Sequence, residues 1–188
     1  MIAYLDATMP GDDLSGEERA AVVRWQGLDR FYERVQAIER EIDPPADYEA
    51  EEVRDFLEVV IRRHPIGRRA MAWRGIRDAG SALGVAGHEV EQLVDRVVRV
   101  GGFLATSPLR SIASSFTVPP RDPLVLRLIV PAGTGVLWVP PAGVPALAEQ
   151  YELLMRSSAL YILGVSSGED GTPELTAELR RWDDGDHE

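Results

Sequence analysis

The segment "PLVLRLIV", residues 123–130, is apolar almost throughout and predicts a central β-strand. Other strands are predicted on both sides of it, and the last two are expected to pair as a hairpin. These strands are "AMAWRGI" (70–76), "GGFLATS" (101–107), "PAGTGVLWVP" (131–140), "QYELLM" (150–155) and "ALYILGV" (159–165). Helices first and strands afterwards are typical of the α+β class with antiparallel-rich sheets, and not of a wound α/β fold.

Helical patterns dominate the part of the chain before the first strand. The three predicted helices are "LSGEERAAVVRW" (14–25), "RFYERVQAIEREI" (30–42) and "EAEEVRDFLEVVIRR" (49–63). The first begins with a capping box, because Ser15 is followed three residues later by Glu18. In the second, one apolar face at helical spacing is expected to be buried, made by Phe31, Val35, Ile38 and Ile42. Another face carries Tyr32, Gln36 and Arg40. Later in the chain, "HEVEQLVDRVV" (88–98) predicts a further helix, and "PLRSIASSF" (108–116) a short helix or a loop.

The composition excludes several kinds of site. A net charge of −11 disfavours a surface that coats nucleic acid, because neutralising phosphates requires clustered cations. The chain has no cysteine and three widely separated histidines, so we expect no disulfide framework and no metal site. All 20 lysine-or-arginine residues are arginine. A GC-rich genome would explain this, and so would avoidance of ubiquitin tagging in a host cell. The absence of lysine excludes a phosphate-loop lysine and a Schiff-base lysine.

Three motifs occur in order along the predicted strands. "AWRG" (72–75) places an arginine and a glycine at a strand end, and "GGFLATSPLRSIASSF" (101–116) is a strand that ends in small hydroxyl residues before a turn. "EQYELL" (149–154) is a Gln-x-Glu before an apolar strand. Their order and separation resemble the Arg–Ser–Glu type of mono-ADP-ribosyltransferases, a family that includes the Rho-modifying exoenzymes and the binary actin-modifying toxins. The resemblance covers residues 15–167.

The resemblance implies a fold and a division of the chain. NAD would bind between a split pair of antiparallel-rich sheets that follow N-terminal helices, and 188 residues suit one such domain. The divisions are an N-terminal extension (1–14), a helical segment (15–65), an NAD-binding β core (66–167) and an acidic C-terminal tail (168–188). One short helix is expected in the tail.

The resemblance also assigns roles to residues. Glu152 would be catalytic, because a carboxylate beside the ribose stabilises the positive charge that develops when the nicotinamide bond breaks. Arg74 would bind the pyrophosphate through its forked guanidinium, and Gly75 would let the backbone approach the nicotinamide amide. The other residues that the resemblance places against NAD are Gln36, Arg40, Thr106, Ser107, Arg110 and Phe116. NAD is the substrate in this family, and no metal is implied.

Gln150 precedes Glu152 by two residues, and on a strand this spacing would put both side chains on one face. In the family, the residue at this position helps to select the acceptor, and Gln-x-Glu accompanies asparagine or glutamine acceptors. A neutral amide can exchange paired hydrogen bonds with another amide, whereas an arginine acceptor must lose a proton despite its very high pKa. The resemblance therefore implies an amide acceptor beside Gln150.

Two positions depart from the family pattern. Ala105 stands where the first serine of a Ser-Thr-Ser triplet normally hydrogen-bonds the catalytic glutamate, and losing such a bond costs about 1 kcal/mol. Leu147 stands where the Rho-modifying enzymes carry an aromatic residue that contacts the target, so Rho is not the expected target. Taken singly, the site residues also have a structural reading, in which Gln36 and Arg40 form the wet face of an amphipathic helix.

Together the motifs predict an NAD-dependent mono-ADP-ribosyltransferase, a glycosyltransferase of the bacterial toxin or effector kind that modifies a protein side chain. Two alternatives stay open. One is an NAD glycohydrolase, in which water is the acceptor, and the other is a catalytically silent module that retains the fold for binding, which Ala105 would favour. The sequence does not name the target protein. An immunity protein is expected as a partner if the target is bacterial, and the negative charge disfavours a nucleic-acid acceptor.

We expect no membrane-targeting or secretory signal in this sequence. No run of 18 or more apolar residues is present, so no membrane span is predicted. The segment "MIAYLDATMPGDD" (1–13) lacks a basic start and a long apolar centre, so we expect no secretory signal. We therefore expect a protein that leaves the producing cell as an effector or within a larger secreted chain, and otherwise a cytoplasmic one.

Overall fold

A computed structural model describes residues 1–40, 46–118, 121–156, 159–168 and 170–180. The helices are α1 (Ile2–Thr8), α2 (Gly16–Trp25), α3 (Phe31–Glu39), α4 (Tyr48–Arg63), α5 (Ala79–Leu83) and α6 (Arg110–Ser115). The strands are β1 (Ala70–Ile76), β2 (Val97–Arg99), β3 (Phe103–Thr106), β4 (Leu124–Val130), β5 (Val136–Trp138), β6 (Leu153–Arg156), β7 (Ala159–Ser167) and β8 (Pro173–Arg180). Helices α1–α4 precede the first strand, α5 and α6 lie among the strands, and the two sheets are mostly antiparallel, which confirms the predicted α+β class.

The chain divides into two compact units. Unit 1 comprises Met1–Gly67, Gly101–Ala105 and Gly133–Arg156. Unit 2 comprises Arg68–Val100, Thr106–Ala132 and Ser157–Glu188.

Unit 1 packs the first four helices with a three-stranded sheet of order β3-β6-β5. The capping box predicted for α2 is confirmed: the Ser15 hydroxyl accepts from the Glu18 N–H at 3.1 Å, and the Glu18 carboxylate accepts from the Ser15 N–H at 2.9 Å. The hydrophobic core of unit 1 is formed by apolar side chains from α2, α3, α4 and the three-stranded sheet. The largest of these are Trp25, Phe31, Leu57, Ile61, Phe103, Leu137 and Leu154.

The helices of unit 1 follow the sequence patterns closely. Phe31 and Val35 of α3 are buried as predicted, whereas Ile42 lies outside the described residues. Helix α1 was not predicted, because residues 1–14 were expected to be an extension. Its formation is explained by tertiary contacts: Leu5 is fully buried, and the indole N–H of Trp138 donates to the Asp6 carboxylate at 2.9 Å.

Unit 2 is built on a five-stranded sheet of order β1-β4-β8-β7-β2. The prediction that residues 123–130 form a central strand is confirmed, because β4 lies antiparallel to β1 and parallel to β8. Leu124, Leu126 and Leu128 are almost fully buried. Burial of nearly every residue explains why this strand is a continuous apolar run rather than a strict alternation.

Three local predictions are wrong. The segments 150–155 and 159–165 do not form a hairpin: β6 pairs with β5 in the three-stranded sheet, whereas β7 pairs with β2 and β8. The tail forms the strand β8 over Pro173–Arg180 instead of a helix, with Leu175, Ala177 and Leu179 buried on one face. The predicted helix at 88–98 is a 3₁₀ helix, Gly87–Leu93, that leads into β2.

No helix in the described ranges is both long and apolar enough to cross a membrane.

Candidate functional site

Glu152 lies in unit 1, between a 3₁₀ helix (Pro145–Gln150) and β6. Its Oε1 accepts a hydrogen bond from the indole N–H of Trp25 at 2.9 Å, and its Oε2 accepts one from the Gln26 amide at 2.8 Å. Both donors come from the C-terminal end of α2. Hydrogen bonds from N–H groups to a carboxylate stabilise its ionised form and fix its orientation.

Trp25 and Gln26 are functional candidates that sequence reasoning missed. Trp25 is 3% exposed and packs edge-on against Phe103, with 5.7 Å between ring centroids. The Gln26 carbonyl accepts from the Val144 N–H at 2.8 Å, so this side chain bridges a loop to Glu152. A tryptophan and a glutamine at a helix end carry no distinctive signal, and Gln26 is 126 positions away from Glu152.

The prediction that Gln150 and Glu152 share one face of a strand is wrong. Gln150 is the last residue of the 3₁₀ helix, and the strand begins only at Leu153. Tyr151 between them adopts a left-handed conformation, with φ 49° and ψ 48°, which a non-glycine residue adopts at an energetic cost. The Tyr151 ring stacks on Trp138 with 6.3 Å between ring centroids. The relative position of the Gln150 and Glu152 side chains is therefore set by this stacking and by the left-handed turn, and not by strand geometry.

Gln36 is not on a wet helix face. It is 7% exposed, its amide N–H donates to the Phe103 carbonyl at 2.6 Å, and its carbonyl accepts from the Phe103 N–H at 3.0 Å. Phe103 belongs to β3, an edge strand, so Gln36 satisfies main-chain groups as a neighbouring strand would. Gly102 has φ +91°, and a Cβ there would meet the Gln36 carbonyl oxygen at 2.0 Å. Arg40 follows α3 and is exposed.

Arg74 and Gly75 lie on β1 in unit 2, and Arg74 is half-buried. A Cβ on Gly75 would meet the Ala113 carbonyl oxygen at 2.0 Å and the Phe116 Cβ at 3.1 Å. The glycine is therefore required where α6 packs against β1, a reason that the sequence did not reveal. Phe116 follows α6 as its C-cap and is 42% exposed.

Thr106 and Ser107 are both buried in unit 2. Ser107 pairs with Trp73 through two main-chain hydrogen bonds: the Trp73 N–H donates to the Ser107 carbonyl at 2.7 Å, and the Ser107 N–H donates to the Trp73 carbonyl at 2.8 Å. This pairing places Ser107 beside the residue that precedes Arg74. Its hydroxyl accepts from the Leu109 N–H at 3.3 Å.

Arg110 begins α6, and its guanidinium is engaged with carboxylates of unit 2. Its Nε donates to Glu174 at 2.9 Å, and its Nη2 lies 3.7 Å from Asp170. Side-chain exposure is 33% for Arg110 and 13% for Glu174, so the pair is partly shielded from water.

The predicted residues therefore form two groups. Unit 1 holds Gln36, Arg40, Gln150 and Glu152, and unit 2 holds Arg74, Gly75, Thr106, Ser107, Arg110 and Phe116. In unit 2, Ser107 and Phe116 lie close to β1, the strand that carries Arg74 and Gly75. Among the residues that the structure describes, no cluster of three or more histidine, aspartate or glutamate side chains could hold a metal ion.

No family model and no curated protein matches the sequence. Solved structures match over nearly the whole chain. The C3 exoenzyme of Clostridium limosum is 16% identical with a TM-score of 0.76, covering 95% of this chain and 92% of its own. Plx2a, an ADP-ribosyltransferase toxin from Paenibacillus larvae, is 14% identical with a TM-score of 0.69, covering 97% and 91%.

A third solved structure is C3stau2 from S. aureus, solved with NAD. It is 14% identical with a TM-score of 0.73, and the match covers 96% of this chain and 94% of that one. Agreement over full chains at such low identity is agreement of the fold. The protein therefore has the fold of the bacterial ADP-ribosyltransferase toxins.

Proposed function

We propose that this protein is an NAD-dependent mono-ADP-ribosyltransferase of the bacterial toxin or effector kind. The observation that carries the proposal is the carboxylate of Glu152, which accepts an N–H from Trp25 and another from Gln26 within a Gln-x-Glu motif. A carboxylate oriented in this way on the fold of ADP-ribosyltransferase toxins suits the stabilisation of a developing positive charge.

The chemistry is a glycosyl transfer. The bond between nicotinamide and the ribose C1′ breaks, and its electron pair leaves with nicotinamide, so that positive charge develops on the ribose. Glu152 stabilises this charge and accepts a hydrogen bond from the ribose 2′-hydroxyl. The acceptor nitrogen then bonds to C1′ and releases its proton to water. Gln150 pairs with the acceptor, which we propose is a side-chain amide of a target protein.

In this proposal, NAD is bound by the residues that the sequence motifs identified. Arg74 binds the pyrophosphate, Gly75 contacts the nicotinamide amide, and Arg40 supplies a second cation for phosphate. The remaining proposed contacts are Gln36, Thr106, Ser107, Arg110 and Phe116. Arg110 must exchange or share its ion pair with Glu174 in order to reach a phosphate.

The proposal is tested by incubating the chain with labelled NAD and cell lysate. Released nicotinamide and label on macromolecules are both measured, for the wild type and for Glu152→Gln. This variant keeps the shape of the side chain but removes its charge, and we expect activity to fall by about 100-fold or more. Glu149→Gln is the matched control, because Glu149 is an exposed glutamate three residues away and its neutralisation should leave activity unchanged.

The outcomes separate the alternatives. Label on a protein band that disappears with Glu152→Gln supports transfer and provides the target for mapping of the acceptor. Nicotinamide release without label supports an NAD glycohydrolase. A folded wild type that gives neither signal with bacterial and eukaryotic lysates contradicts the proposal and supports the silent module. Label on nucleic acid instead of protein would show that the acceptor is a nucleic acid and not a protein side chain.

A further inference from the structure

We infer that Trp25 and Gln26 are positioning residues that hold the Glu152 carboxylate from the C-terminal end of α2. This inference rests on the proposed function, in which Glu152 acts as an oriented, ionised carboxylate. The two donors reach different oxygens, Trp25 at 2.9 Å from Oε1 and Gln26 at 2.8 Å from Oε2. Two bonds to two oxygens fix both the position and the rotation of the carboxylate.

The Trp25 donor is held rigidly. The indole is 3% exposed, and it packs against Phe103 at 5.7 Å and against Tyr32 at 6.0 Å between ring centroids. An aromatic ring confined on two sides cannot rotate its N–H away from Glu152 without disturbing the core. The bond is therefore built into the packing of unit 1.

The Gln26 donor has only one amide orientation that fits. Its oxygen accepts from the Val144 N–H at 2.8 Å while its nitrogen donates to Glu152. The reverse orientation would set the NH₂ against an N–H group and the carbonyl oxygen against a carboxylate, so both bonds would be lost. Gly143 allows the loop to approach, because a Cβ there would meet the Gln26 carbonyl oxygen at 2.2 Å.

The side chain of Ala105 supplies no hydrogen-bond donor. It is half-buried, packs against the core of unit 1, and offers a methyl group in place of a hydroxyl donor. Donors from α2 therefore supply orientation that the side chain at this position of β3 does not. Substitution of these donors should change the rate of the chemical step rather than the binding of NAD.

Trp25→Phe tests the first donor, because it removes the N–H and keeps an aromatic ring. We expect kcat for nicotinamide release to fall by about tenfold, since a hydrogen bond to a charged group is lost, with little change in KM. The acidic limb of the pH–rate profile should move to higher pH, because the ionised carboxylate loses a donor. Ser15→Ala is the matched control: it removes a side-chain hydrogen bond at the opposite, N-terminal end of α2 and should leave kcat and the profile unchanged.

Gln26→Glu tests the second donor and does not depend on the packing of Trp25. It keeps an oxygen for the Val144 N–H but replaces the N–H that reaches Glu152 with a second carboxylate. Like charges disfavour joint ionisation, so the acidic limb should move to higher pH than in Trp25→Phe. Thermal melting of both variants checks that they remain folded.

A readout without activity separates this inference from the proposed function. The Glu152 carboxyl is followed by ¹³C NMR titration of the full chain, with its signal assigned by comparison with Glu152→Gln. Its titration midpoint should rise in Trp25→Phe and in Gln26→Glu, even if the wild type releases no nicotinamide. An unchanged midpoint in both folded variants, or an unchanged kcat and acidic limb in an active protein, would overturn the inference.

Discussion

The two units hold their candidate site residues by different means. In unit 1 the contacts are made by side chains: Trp25 and Gln26 donate to Glu152, and Gln36 bonds to the main chain of Phe103. In unit 2, side-chain carboxylates engage Arg110, but main-chain contacts hold Gly75 and Ser107. The Ala113 carbonyl oxygen occupies the space where a Cβ on Gly75 would lie, and Ser107 pairs with Trp73 through main-chain hydrogen bonds.

The difference decides how each unit responds to substitution. A side-chain hydrogen bond can be removed singly, at a net cost of about 1 kcal/mol for a typical bond. Where two main-chain segments lie in close contact, a substitution cannot have a similarly small effect. An atom added between them must displace a whole helix or strand. We therefore expect graded effects in unit 1 and abrupt effects in unit 2.

The largest effect is expected in unit 2, from Gly75→Ala. The new Cβ would lie 2.0 Å from the Ala113 carbonyl oxygen, which cannot rotate away as a flexible side chain would. The free energy of unfolding should fall by about 3 kcal/mol, which denaturant titration measures. Gly164→Ala is the control, because a Cβ there would meet no heavy atom within 4 Å among the described residues. Equal stability of the two variants would contradict the close packing of α6 on β1.

A smaller effect is expected in unit 1, from Gln36→Leu. The substitution leaves the Phe103 N–H and carbonyl of an edge strand without their partner, and should lower the free energy of unfolding by about 2 kcal/mol. Glu33→Leu on the exposed side of the same helix is the control, because an exposed ion pair contributes little. A rise in KM for NAD without a loss of stability would instead support the role in NAD binding that the sequence resemblance implies.

The smallest effect concerns Glu18, whose carboxylate accepts hydrogen bonds from Arg63. This hydrogen bonding is the main cause that lowers the pKa of Glu18 below its ordinary value of 4.5. The pair therefore stabilises the fold fully above pH 4.5, and the stabilisation is lost as pH falls through the lowered pKa of the folded state.

Glu18→Gln should remove this pH dependence. The amide can still complete the capping box, so the variant isolates the charge. We expect it to be less stable than the wild type by about 1 kcal/mol at neutral pH, with the gap closing on acidification. Denaturant midpoints measured between neutral and acidic pH check this, and a gap that widens at low pH would show that the sign is wrong.

Local patterns were sufficient for the helices α2, α3 and α4 and for the central strand β4. The capping box of Ser15 and Glu18 fixed the start of α2, and apolar spacing located α3 and α4. These signals are local, because capping and periodicity depend on residues three or four positions apart. Sheet membership was not local: β6 and β7 are consecutive apolar strands, yet they belong to different sheets.

Local sequence patterns predicted the α+β class, the helices α2, α3 and α4, the central strand β4 and the candidate motif of Gln150 and Glu152. Tertiary structure alone decided that Pro173–Arg180 form a strand, that Gln150 ends a 3₁₀ helix, and that Trp25 and Gln26 reach the Glu152 carboxylate. The two sets of features differ in how far apart along the chain the interacting residues lie. Strand pairing and side-chain donors come from segments many positions apart, and local propensity carries no information about which distant groups will meet.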